Sequence, residues 1–400
     1  MSALPSAIEV LDIDPFTDEN LADPYPMHER LREAGPVVYL ERYRVWAMAR
    51  HAEVYASLTD HDTFCSSRGA GLSDFHKEKP WRPPSLLLEA DPPAHTVARG
   101  AMGRVISAST VRGFRETFRA EAEELADKLV ALRRFDAITD LAERYPLKVF
   151  PDAVGLPEEG RENLLPYGAL AFNAFGPHNH LLERALAGAA PVQRWIQDSC
   201  RRDALAPGGL GSKLWDAADR GEITHEQAPL LVRSLLSAGV DTTVHGIGNT
   251  IQALSANPDQ WARLRENPAL ARFAFDEALR YESPVQTFFR TTTREAEVAG
   301  IGIPEGEKVL LFLGAANRDP RKWGPDADRL DITRKATGHV AFGMGIHQCV
   351  GQPIARLEAE LVLTALAERA ARLEPTAEPV PTLNNTLKGW SRVPLLTHPA

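Results

Sequence analysis

The sequence predicts a mainly α, single-domain protein, helix-rich with small peripheral β-sheets, and three observations carry that prediction. Apolar residues recur at helical spacing along most of the chain, β-type runs are short and confined to three stretches, and nothing divides the sequence into separable parts. The clearest helical stripe runs from Thr110 to Arg133, where Val111, Phe114, Phe118, Leu125, Leu129 and Leu132 fall three, four and seven residues apart. Strand signals sit at 36–48, at 288–313, where Gly300, Gly302, Pro304 and Gly306 punctuate the run, and near the carboxyl terminus. No repeat, low-complexity tract or Gly/Ser linker interrupts the 400 residues, so one domain spans 1–400, with about the first 20 residues read as a loosely ordered arm.

Composition excludes several classes. Lys plus Arg at 45 against Asp plus Glu at 54 gives a net charge of −9, without the basic excess that nucleic-acid binding needs. Cys65, Cys200 and Cys349 are too few and too scattered for a disulfide framework or a four-ligand zinc site. The amino terminus carries Glu9, Asp12 and Asp14 where a secretory signal would place Lys or Arg, and no run of about 18 apolar residues occurs. The expectation is a soluble, cytoplasmic protein that engages neither nucleic acid nor membrane.

Two helices stand out. One opens with the capping-box pattern Thr224-x-x-Gln227 and stays apolar-periodic to about Ala256, with Pro229 either kinking it or marking its true start. Its length of about 28 residues would run roughly 42 Å. At its middle, Ala238-Gly239-Val240-Asp241-Thr242-Thr243 combines residues that are poor in a helix interior, which points to a working site, although a lone Thr more often just back-bonds a carbonyl. The other helix begins at Asn267-Pro268, ends before Pro284, and places Glu277 and Arg280 on one face, three residues apart.

The most informative segment is His339 to Gly351, HVAFGMGIHQCVG, followed at once by a helical pattern. A nucleotide loop is excluded because Gln348 stands where a third glycine is needed. Glycines 343, 345 and 351 let the backbone approach a flat ligand closely, and a cysteine just before a helix start is biased toward thiolate. Phe342-Gly343-x-Gly345-x-His347-x-Cys349-x-Gly351 resembles the haem-binding loop of the cytochrome P450 monooxygenases. Glu277-x-x-Arg280, Ala238-Gly239-x-Asp241-Thr242-Thr243 and Asn317-Arg318-Asp319-Pro320 are similar to the same family's other motifs, in the same chain order.

The resemblance implies haem b with Cys349 as its thiolate ligand and dioxygen as co-substrate. His95, Arg99, Arg290 and His347 become contacts of the haem propionates, and Phe342, Gly343 and Gly351 its loop. Asp241 and Thr242 become the oxygen-activating pair, with Asp241 relaying protons. Glu277 and Arg280 become a buried structural pair, with Arg329 as a guessed third member.

For substrate, Lys79 to Leu88 falls in the loop that caps the family's pocket, where Arg82 and Ser85 form an anion hook. Arg233 and Ser234 precede Asp241 by eight and seven residues, and Ser234 shares its face. Phe172, Phe175 and Phe288 supply apolar walls, with Leu88, Ala238 and Val285 near the iron. This set resembles the bacterial subfamily that oxidises para-substituted benzoates, chiefly by O-demethylating 4-methoxybenzoate. The family implies a two-iron ferredoxin and an NAD(P)H-dependent ferredoxin reductase as electron donors, docked on a basic patch for which Arg104, Arg112 and Arg356 are candidates. Alternatives left open are a terpenoid-type substrate, a haem protein that only carries ligand, and a Cys349/His347 hydrolase.

Overall fold

The computed structural model describes residues 8–400. Helices dominate, and their apolar stripes meet in one large core. The helix Ala108–Leu132 starts on a Ser107 cap, whose hydroxyl accepts from Thr110 N, and it buries Phe118, Leu125 and Leu129. Its main partner is Gln352–Arg369, the helix that follows the cysteine loop. Ala94–Val105, Asp241–Ala256 and Ala271–Glu282 complete the core's inner layer.

Strands Glu9–Leu11, Val38–Leu40, Val45–Met48, Phe64–Cys65, Thr287–Thr292 and Lys308–Phe312 join in one six-stranded mixed sheet. Lys308–Phe312 lies buried between Val45–Met48, parallel to it, and Thr287–Thr292, antiparallel. Its alternation is visible in the packing: Leu310 and Phe312 enter one apolar cluster, Val309 and Leu311 the other, one on each face. Glu9–Leu11 pairs in parallel with Val38–Leu40, and Phe16 is buried. The loosely ordered arm expected over the first 20 residues is therefore corrected from residue 9 onward, because backbone pairing and an apolar anchor fix it; residues 1–7 lie outside the described residues. Among the described residues no helix is long and apolar enough to cross a membrane.

The long central helix is two helices. Gln227–Ala238 begins with the reciprocal capping box, Gln227 N donating to Thr224 Oγ1 at 3.3 Å and Thr224 N to Gln227 Oε1 at 2.9 Å, so Pro229 sits in the first turn and does not kink it. Asp241–Ala256 follows after a break at Gly239-Val240. The continuous helix expected from periodicity is interrupted by packing: a Cβ on Gly239 would stand 2.3 Å from the Phe150 ring, so the chain comes too close to a neighbour to carry a side chain there.

Candidate active site

The cysteine loop is shaped by backbone. Cys349 N donates to Phe342 O at 2.8 Å and closes the loop on itself. Gly343 and Gly345 both adopt φ of +67°, and a Cβ on Gly345 would stand 2.7 Å from Leu58 O, so sterics and dihedral both demand glycine. Burial pushes the Cys349 thiol up, while N–H groups of Gly351 and Gln352 and the Arg99 guanidinium pull it down.

Behind this loop lies a closed polar cluster. Arg280 donates to both carboxylate oxygens of Glu277 at 2.8 Å, and both side chains are fully buried. Its remaining N–H groups reach the carbonyls of Asn317, Ala327 and Arg329 at 2.7–3.0 Å. The third charged member is Arg334, whose Nε stands 3.2 Å from Glu277 Oε1; Arg329 contributes only its backbone carbonyl, a correction to the guess that it would join by side chain. Asn317 then ties the cluster to the loop, donating to Ser283 Oγ at 2.8 Å and accepting from Val340 N at 2.7 Å.

Of the basic side chains His95, Arg99, Arg290 and His347, only His347 has a carboxylate within 4 Å among the described residues. His95 and His347 pack with ring centroids 4.6 Å apart, and the Nε2 atom of each is buried without a hydrogen-bond partner. His347 Nδ1 donates to Leu87 O at 2.9 Å, leaving Nε2 3.5 Å from Asp91 Oδ1. Burial, with His347 and Arg99 nearby, lowers His95 to about 4. Arg290 is 2% exposed, makes only a bond to its neighbour Phe289 O, and is pushed down to about 10 by burial. Among the described residues neither Arg290 nor Arg99 forms an ion pair. Unpaired buried cations are costly, and a ligand with two carboxylates beside Cys349 would relieve them. These residues fit haem: His95, Arg99, Arg290 and His347 would meet its propionates, Phe342, Gly343 and Gly351 would border its ring, and Cys349 would bind its iron.

On the opposite side stand Asp241 and Thr242. Asp241 is buried with Oδ2 unpartnered, packed so tightly that a Cβ on Gly168 would meet that oxygen at 2.8 Å. Burial, then the Glu143 charge, raises its carboxyl to about 7. His245 Nε2 lies 3.5 Å from Asp241 Oδ1, but burial lowers this imidazole to about 4, so it is neutral at pH 7 and no ion pair forms. The Thr242 hydroxyl donates to Ala238 O at 2.8 Å; its expected role toward oxygen requires that bond to release.

The residues expected to bind substrate fall into two sets, one apolar and one polar. Phe172 and Phe175 pack edge to face at 5.8 Å, Phe175 and Phe288 at 5.5 Å, and Leu88 and Val285 join the same cluster. Ala238 stands outside it and is exposed. In the polar set Ser85 Oγ and Ser234 Oγ are 3.5 Å apart, and Arg82 and Arg233 both donate to Pro83 O, at 3.0 and 2.8 Å. The free Arg82 hook is corrected: Arg82 Nη1 already pairs with Glu89 Oε2 at 2.8 Å. Arg233 is the guanidinium without a carboxylate. Of the basic candidates for docking, Arg104 pairs with Glu222, and Arg356 with Asp276 while lying over the Phe342 ring at 4.7 Å; only Arg112 is exposed and unpaired among the described residues.

Sequence reasoning missed Glu89, Asp91, His245 and Arg334. Asp91, the one with a signal nearby in Asp91-Pro92-Pro93, feels burial raising its carboxyl, but hydrogen bonds from His347, Ser67 and Ser66 outweigh this and hold it well below the usual range.

A helix-rich fold that closes a glycine-bordered cysteine loop beside buried, unpaired Arg290 is the arrangement expected of a haem-thiolate monooxygenase. The family model described as Cytochrome P450 matches residues 196–394. Cytochrome p450 CYP199A2 of Rhodopseudomonas palustris is 59% identical over 391 residues, covering 98% of this chain and 95% of that one. Beta-dihydromenaquinone-9 omega-hydroxylase of Mycobacterium bovis is 32% identical, covering 98% and 80%. The structure of cytochrome P450 CREJ in complex with (4-ethylphenyl) dihydrogen phosphate superposes with a TM-score of 0.87 at 26% identity, covering 96% and 99%. The chain belongs to the bacterial cytochrome P450 monooxygenases, a family that uses thiolate-bound haem and dioxygen.

Proposed function

We propose that this monooxygenase oxidises para-substituted benzoic acids, chiefly 4-methoxybenzoate by O-demethylation and 4-alkylbenzoates by hydroxylation. The observation that carries the reading is Arg233, half-buried, without a carboxylate partner, and next in sequence to Ser234, whose hydroxyl stands 3.5 Å from that of Ser85. A substrate carboxylate supplies the missing charge and accepts from those donors. Its ring then lies among Phe172, Phe175 and Phe288, which directs the para substituent away from the charged end, so a rigid acid held at one end selects by distance. The aryl phosphate carried by the structural relative CREJ has the same plan, an anion at one end of a ring and an ethyl group para to it.

Bound haem supplies the activation of dioxygen, and the residues of the chain supply position and protons. Asp241, raised to about 7, holds a proton near neutral pH and can give it up. Thr242 presents its hydroxyl once it leaves Ala238 O, and the Phe walls exclude water. One oxygen atom enters the methoxy carbon, and the resulting hemiacetal loses formaldehyde to leave 4-hydroxybenzoate. We further read a two-iron ferredoxin with its NAD(P)H-dependent reductase as the electron source.

The test is a titration of the ferric holoprotein, following the haem band, with 4-methoxybenzoate and with neutral 4-methoxybenzamide. The acid should bind at least tenfold more tightly, and Arg233→Ala should abolish most of that preference while retaining haem. Equal affinities in the wild type would sink the benzoate assignment. Thr242→Ala should release reductant consumption from product formation as excess hydrogen peroxide; full coupling would remove Thr242 from its role.

A further inference from the structure

Glu89 is buried at 6% exposure in the loop that caps the pocket, and its Oε2 accepts from Arg82 Nη1 at 2.8 Å and from Ser85 N at 2.7 Å. It thus binds the backbone of one residue of the acid-binding end and the side chain of another. Three groups near this end carry charge: Arg82, Arg233 and Glu89. The two guanidinium groups share Pro83 O as acceptor, close enough that Arg82 adds to burial in lowering Arg233. Glu89 cancels one of them. The balance is a single positive charge in a half-buried place, where an unmatched charge of either sign is poorly tolerated.

We propose that Glu89 is a specificity-determining residue that sets this end to one net positive charge and so selects singly charged acids over neutral and doubly charged analogues. This rests on the acid-binding reading above and adds the charge rule to it. A monoanion closes the balance. A neutral amide leaves Arg233 unmatched, and a dianion brings a surplus negative charge next to the Glu89 carboxylate, a repulsion weakly screened by water there. Without the Glu89 charge the end carries two positive charges and suits a dianion.

The experiment compares 4-ethylbenzoate, 4-ethylphenyl phosphate and 4-ethylbenzenesulfonate by haem-band titration of the holoprotein. At pH 8 the phosphate monoester, with a second pKa of about 6, is a dianion. Wild type should prefer the benzoate, and Glu89→Gln, which keeps an acceptor oxygen for Arg82 and Ser85 N, should shift the affinity ratio toward the phosphate by at least tenfold. The double variant Arg82→Gln with Glu89→Gln restores one net charge and should return the ratio toward wild type. An unmoved ratio in Glu89→Gln overturns the proposal, as does a double variant that keeps the shift.

A measurement on the wild type alone guards against variants that fail to load haem. Affinity for the aryl phosphate should fall about tenfold from pH 5.5 to pH 8, relative to the sulfonate, which stays a monoanion throughout; a flat relative affinity overturns the proposal. If wild type does not distinguish 4-methoxybenzoate from its amide, the acid-binding reading falls and takes this one with it. Acid preference with no charge selection removes Glu89 alone.

Discussion

The polar cluster behind the Cys349 loop and the polar groups facing it differ in how they are matched. Glu277, Arg280, Arg334, Asn317, Asp276 and Arg356 all find their partners within the chain, at 2.7–3.2 Å for the bonds that tie the loop. By contrast, His95 Nε2, His347 Nε2 and Asp241 Oδ2 are buried and unbonded, and among the described residues Arg290 and Arg233 form no ion pair. The lesson is thermodynamic: a matched cluster carries no unmet charge, whereas buried unmatched groups are costly until something meets them, which the function proposed above supplies as propionate, substrate acid and proton.

The largest expected effect comes from unmatching the matched side. Glu277→Ala leaves Arg280 fully buried without a carboxylate, while Arg334 keeps Asp326 at 2.9 Å, and losing one member of such a buried pair costs about 3–5 kcal/mol. The protein should fail to retain haem or melt far below wild type, which thermal unfolding and the reduced carbon-monoxide difference spectrum check together.

Next is Asp241, where the change is on the unmatched side and its sign is opposite. Its folded carboxyl is raised to about 7, against about 3.9 unfolded, so between those values the folded state holds more protons than the unfolded state. That contribution is fully present at low pH and is lost as pH rises through the interval, reaching on the order of 2–4 kcal/mol above it. Asp241→Asn removes the dependence. It should be more stable than wild type at pH 8 and nearly equal below about pH 4 by thermal melts, while its turnover falls; a stability gap of the same size at both pH values would disprove the raised carboxyl.

The helix break gives the third effect. Gly239→Ala forces a methyl against the Phe150 ring, an overpacking that costs about 1–3 kcal/mol. Phe150→Leu in the same chain should recover part of the loss in melting temperature. No recovery would mean that the break is set by something other than this contact.

What was legible in the sequence was whatever is local. Glu277 and Arg280 pair because a helix brings positions three apart together, and the cysteine loop announces itself by glycines whose need is a backbone dihedral. The rest depends on contacts that no short window contains. Arg334 reaches Glu277 across 57 residues, and Phe150 meets Gly239 from another helix, so periodicity alone extended one helix through a real break. Glu89 lies seven residues from Arg82 in a segment without regular structure, where no period says which side chains converge. The sequence therefore singled out Arg82 and Ser85 but not the pairing of Arg82 with Glu89. His95 and Arg290 came from the resemblance; their lack of partners came from the fold.

The smallest effect concerns the outer surface and separates two arginines that looked equivalent. Arg112 is exposed and unpaired, so Arg112→Glu acts only through long-range charge. Reduction by an acidic ferredoxin should slow about two- to threefold at low salt, and the difference should vanish as salt screens it, with the carbon-monoxide spectrum unchanged. Arg356 holds Asp276 at 2.7 Å and lies over Phe342 in the loop itself. Arg356→Gln should alter the haem spectrum or its retention at every salt concentration. If Arg112→Glu instead leaves the low-salt rate untouched while Arg356→Gln changes only the salt slope, the docking face lies around Arg356 and the internal role assigned to that arginine is wrong.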